Sequence, residues 1–76
     1  MWLDIYNHNM EYVEEHNGQE LLTIDDLAKL LKVSKSTVYS WRHQGRTPPA
    51  LKVGRHVRFR YADVQRWLIA NEDTAA

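Results

Sequence analysis

Apolar residues recur along this chain with two different periods, and the changes of period divide it into elements. In residues 2–16, Trp2, Leu3, Ile5, Tyr6, Met10, Tyr12 and Val13 fall on one half of a helical wheel, while Asp4, Asn7, Glu11, Glu14 and Glu15 fall on the other. This predicts an amphipathic helix stopped by Asn17-Gly18, since both residues tolerate the left-handed conformation found after helix ends. A second helix is predicted to begin after Thr23, an N-cap with Asp26 three residues on in an approximate capping box. Leu27, Ala28, Leu30 and Leu31 mark its buried side, and it ends near Lys32. Ser34 is the next N-cap, residues 35–44 form a third helix, Val38 and Trp41 are its inward anchors, and Gly45 can terminate it.

Pro48-Pro49 ends the helical pattern and the period drops to two. Leu51, Val53, Val57 and Phe59 are apolar, with Lys52, Arg58 and Arg60 between them. Setting all four apolar side chains on one face requires Val53 opposite Val57 and Leu51 opposite Phe59, which leaves Gly54-Arg55-His56 as a three-residue hairpin tip. A final helix over 62–70 is predicted to bury Val64, Trp67 and Leu68, and residues 71–76 are a frayed tail. Two helices joined by a tight turn and followed by a basic hairpin make a winged helix-turn-helix. The predicted fold is thus mainly α with a small β-hairpin. Residues 1–20 form an acidic N-terminal helix and linker, 21–70 the winged domain and 71–76 the tail.

Charge changes this picture more than composition does. The formal net charge is zero, yet the eight basic residues from Lys32 to Arg60 are interrupted by no Asp or Glu. Residues 1–20 carry Asp4, Glu11, Glu14, Glu15 and Glu20 with no Lys or Arg. Such segregation points to a polyanion partner for the basic part, most plausibly double-stranded DNA. Seventy-six residues give a core too small for a conventional enzyme pocket, and no enzymatic constellation is present. Cysteine is absent, no secretory pattern opens the chain and no apolar run reaches membrane-spanning length, so the expectation is a cytoplasmic, DNA-associated protein without a membrane partner. His8, His16, His43 and His56 lack both cysteine companions and helical metal-ligand spacing, so no metal or other cofactor is expected. Asp25, Asp26 and Asp63 sit in first turns of helices, where capping and the helix dipole explain them.

On the third helix, the side opposite Val38 and Trp41 presents Ser36, Thr37, Tyr39, Ser40 and His43. Ser36 and Thr37 can donate to a phosphate or a base edge, and Lys35, Arg42 and Arg46 can pair with phosphates on either rim of a major groove. Arg42 or His43 is the better guanine reader. Tyr39 has two readings, a phosphate hydrogen bond or packing on the hairpin, while Trp41, Trp67 and Phe59 read as core rather than as base-stacking platforms. In the wing, Gly54 permits close backbone approach, Arg55 and His56 suit a narrow minor groove, and Lys52, Arg58 and Arg60 meet the flanking backbone. A single module of this size buries only about 600–1,000 Å² on DNA, so useful occupancy calls for several copies held on adjacent sites. The N-terminal helix can supply that self-association through Trp2, Tyr6, Met10, Val13, Glu11 and Glu14. The competing reading is that it packs on its own domain as an extra core layer, with contact to a different partner protein as a further alternative.

The segments LLTIDDLAKLLKVSKSTVYSWRHQG and LKVGRHVRFRYADVQRWL resemble the small excisionase and MerR-like winged-helix domains, and most closely the excisionases (recombination directionality factors) of actinobacterial phages. The resemblance implies an architectural factor that binds cooperatively side by side, bends DNA and helps a phage integrase assemble for excision. The same family contains AlpA- and MerR-type transcriptional regulators, which is the alternative reading. A protein-interaction adaptor whose winged helix no longer binds DNA is a third. Two positions depart from the family. Lys32 stands where Gly is usual at the turn between the two helices; a left-handed lysine costs about 1 kcal/mol, which predicts a reshaped turn. Ser40 and Thr47 replace, respectively, a frequent basic or amide residue and an apolar residue before the proline, so strong specificity at a single site is not expected.

Overall fold

The computed structural model describes residues 16–73. Apart from His16, the amphipathic helix expected over 2–16 lies outside the described residues, and with it Trp2, Tyr6, Met10, Glu11, Val13 and Glu14. The elements run β1 (Leu21–Leu22), α1 (Ile24–Leu31), α2 (Lys35–His43), β2 (Leu51–Val53), β3 (His56–Arg60) and α3 (Tyr61–Ala70). Three helices and an antiparallel sheet of order β1-β3-β2 form a winged helix-turn-helix.

Caps set the two helices of the helix-turn-helix. Thr23 Oγ1 accepts from the Asp26 N–H and an Asp26 carboxylate oxygen accepts from the Thr23 N–H, each at 3.0 Å, so the capping box is complete. α1 closes at Lys32 with φ 58 and ψ 43. The Val33 N–H donates to the Ala28 carbonyl and the Lys32 N–H to that of Lys29, which is a Schellman arrangement. The expected reshaping of this turn does not occur: lysine itself takes the left-handed conformation usually left to glycine. At α2, Ser34 Oγ accepts from the Thr37 N–H at 3.2 Å, and Gly45 leaves the helix with φ 69.

β1 has no counterpart in the sequence prediction, which found two strands. It pairs with β3, Leu22 beside Phe59 and Leu21 beside Arg60, so one face of this ladder is buried and the other is not. The hairpin corrects the predicted register by one residue. Leu51 faces Arg58, Lys52 faces Val57 and Val53 faces His56, leaving a two-residue tip, Gly54-Arg55. Gly54 has φ 63 and Arg55 is not in the positive-φ region, the sign pattern of a type II′ turn, whose twist matches that of the strands it joins. Leu51 and Val53 therefore share a face with His56 and Arg58, not with Phe59, and Val53 is 49% exposed. The slip is tolerated because β1 delivers Leu22 beside Phe59 and so supplies the apolar partner that β2 was expected to provide.

The core takes Leu22 from β1, Leu27 and Ala28 from α1, Val38 from α2, Phe59 from β3 and Val64 from α3. Each large side chain buried this way contributes about 1.5–3 kcal/mol. Trp41 and Trp67, both half-buried, meet with ring centroids 6.1 Å apart and join α2 to α3. Leu68, expected in the core, is exposed: Val64 and Trp67 already occupy the inward side of α3, and the next residue points about 100° further round. Residues 17–20 form a turn, with the Gln19 N–H bonded to Asn17 Oδ1 at 2.8 Å, and they are tied to the start of α3 through the Gly18 and Glu20 carbonyls. No buried side-chain nitrogen or oxygen among the described residues lacks a hydrogen-bond partner.

Candidate nucleic-acid interface

The inward anchors of α2 decide which side chains it can offer. With Val38 fully buried, Lys35, Tyr39 and Arg42 lie on the flank that turns toward the hairpin, at the i, i+4 and i+7 positions of one stripe. Across from them the hairpin presents Arg55, His56 and Arg58, and the two groups line a cleft of about 490 Å³. The start of α1 closes the third side with Thr23, Ile24 and Asp25. Four cations that are scattered over 24 positions of sequence are thereby brought to one concavity. Tyr39 lines it and is 52% exposed, so it is not packed away against the hairpin. Lys35 Nζ lies 3.2 Å from Asp25 Oδ1, and Arg58 donates to the Val57 carbonyl at 2.8 Å.

The remaining sequence-predicted residues lie outside this cleft. Ser36, Ser40 and His43 are exposed on the outer face of α2, away from the core. Ser36 and Thr37 do not point freely outward: their hydroxyls lie 3.0 and 2.8 Å from Ser34 Oγ, so all three belong to one capping cluster. Arg46 follows the helix end, and Gly54 forms the tip beside Arg55. Lys52 shares the hairpin face of Val57, opposite the face carrying Arg58. Arg60 lies 3.5 Å from Asp63, which also accepts from Arg66 at 2.6 Å. Tip and strand cations thus differ in how committed they are: Arg55 is exposed at the tip, whereas Arg60 already has an acidic neighbour.

Two residues enter the site that sequence reasoning did not assign to it. Gln44 donates to Ser40 Oγ at 3.1 Å and accepts from Arg46 at 3.1 Å, so an amide fixes both side chains on the outer edge of α2. The i, i+4 spacing of Ser40 and Gln44 was the available signal. Asp25, read only as a first-turn acid, is the one carboxylate lining the cleft. No sequence signal could have shown this, because it depends on how α1 and α2 cross. Among the described residues, no group of three or more His, Asp or Glu is placed to hold a metal ion. None of the described helices is long and apolar enough to cross a membrane.

A helix with an exposed polar face, set beside a hairpin whose cations converge on it, defines a winged helix-turn-helix of the DNA-binding class. The chain belongs to the helix-turn-helix domain family, whose model matches residues 21–72, about two-thirds of its length. That DNA-binding family includes excisionase-like proteins. Neither the curated proteins nor the solved structures yielded a match.

Proposed function

We propose that this protein is a non-enzymatic architectural DNA-binding factor of the excisionase type. Several copies bind side by side on adjacent sites in the bacterial cytoplasm, bend the duplex and direct a phage integrase toward excision. The observation that carries the DNA half of this reading is the cleft between α2 and the hairpin, lined by Lys35, Arg42, Arg55 and Arg58. A helix lying in the major groove and a wing in the neighbouring minor groove straddle one sugar–phosphate strand. On this docking the cleft receives that strand. Lys35, Arg42 and Arg58 meet its phosphates, with the Tyr39 hydroxyl as a further donor. Arg55 enters the minor groove, where a narrow A·T-rich tract concentrates negative potential. Ser40 and His43 face base edges, Gln44 holds Ser40 in place, and Arg46 reaches the far rim.

The same partition supports weak reading of sequence. Uncharged hydroxyls dominate the outer face of α2, and the strong hydrogen-bonding cations lie on the phosphate flank. One module then binds modestly, and adjacent copies supply the missing affinity. The acidic segment of residues 1–20 is chemically suited to the basic surface of the next copy.

A gel-shift titration on a fragment with several closely spaced sites tests this reading. Stepwise bands that appear together are expected; a single band on a palindrome instead identifies a dimeric regulator, and no binding at low salt identifies an adaptor. Arg55→Ala is expected to weaken binding about tenfold or more, as loss of a charge-assisted contact does. Arg42→Ala is expected to weaken binding to all sequences alike and to lower the log–log salt slope by about 0.9. If neither substitution changes affinity, the docking is wrong.

A further inference from the structure

The phosphate-facing cleft contains one carboxylate, Asp25, to which the docking gives no role. Asp25 has no part in the α1 cap, which Thr23 and Asp26 complete between themselves. Its carboxylate instead reaches across to Lys35 at 3.2 Å, and the two side chains are 58% and 53% exposed respectively. An exposed pair of this kind adds little to stability, so fold maintenance is a poor account of it. In the chain alone, Asp25 Oδ1 lies beside Lys35 Nζ, the group that meets a phosphate oxygen on the docking proposed above.

We propose that Asp25 limits affinity by competing with DNA phosphate for Lys35; the inference rests on the DNA-binding reading above. Before Lys35 can neutralise a phosphate it must leave Asp25, and the carboxylate then remains in the cleft facing the incoming strand. Both effects oppose binding, and neither depends on base sequence. The penalty falls once on every module, so an isolated copy binds more weakly while copies that support one another overcome it. Asp25 thus keeps the phosphate-binding flank from occupying duplex indiscriminately one molecule at a time.

The test is a charge cycle at this pair, with affinity for a site-bearing and a random duplex measured across a salt series. Asp25→Asn is expected to bind both duplexes about three- to tenfold more tightly at 0.1 M salt, and to steepen the salt slope by about 0.9. Asp25→Asn combined with Lys35→Gln replaces the pair by two neutral side chains and is expected to return affinity and slope close to those of the parent. Thermal midpoints close to the parent's would confirm that both variants are folded. Asp25→Asn binding no tighter than the parent overturns the proposal. So does a change confined to the site-bearing duplex, which would make Asp25 a base reader. If the parent binds neither duplex at low salt, the DNA-binding reading itself fails and takes this one with it.

Discussion

Lys32 holds φ 58 and ψ 43 because the two hydrogen bonds that close α1 need a left-handed residue there, whatever its side chain. A lysine pays a steric cost for that conformation that glycine does not, although glycine gives the unfolded chain more freedom to lose. Lys32 is exposed and outside the cleft of Lys35, Arg42, Arg55 and Arg58. Lys32→Gly is therefore expected to stabilise the fold by about 0.5–1 kcal/mol, seen as a rise of a few degrees in Tm, with nearly unchanged DNA affinity. A fall in Tm would mean that the lysine makes contacts that outweigh its strain. Residue-scale signals of this kind were the most legible part of the sequence. Thr23, Asp26 and Ser34 were placed correctly because a cap is satisfied within four residues of chain and needs no distant partner.

At the scale of elements, legibility declines where a strand's partner decides its conformation. β1 is only two residues long, so it has no period to detect, and Leu21-Leu22 reads as part of the approach to α1. The clue lay in the cap: Leu22 before Thr23 and Leu27 four residues after it are staple positions, and both are in the core. Four apolar residues at alternate positions favour a register that buries them together, whereas the observed register follows a two-residue tip with Gly54 at its first position. A sharp test follows from the observed register. Val53→Thr is expected to change stability by less than about 0.5 kcal/mol, since its side chain is not in the core. Phe59→Ala is expected to cost about 3–5 kcal/mol, enough to unfold much of so small a domain. Chemical denaturation reads both, and a large loss from Val53→Thr would restore the three-residue tip.

Across the whole molecule, the charge segregation visible in the sequence acquires a shape that the sequence did not contain. Eight cations in a row of residues gave no means of telling a phosphate-facing flank from an outer face, because that division depends on which side of α2 the hairpin packs. The folded core also bears on the acidic segment. All of the buried apolar residues among those described lie between Leu22 and Val64, and the cleft is closed on its three sides by α1, α2 and the hairpin. The described residues thus complete a core and a cleft among themselves, and on the cooperative reading the acidic segment serves contact with the next copy. A chain beginning at His16 is then expected to keep its Tm within a few degrees and its single-site affinity within about twofold, because the described core and cleft remain whole in it. On a multi-site fragment it is expected to lose the coupled ladder and fill sites independently. Sedimentation and gel shift together separate the outcomes. A truncated chain that still fills adjacent sites cooperatively moves self-association onto the winged domain itself, and one that unfolds makes the segment a layer of its own core.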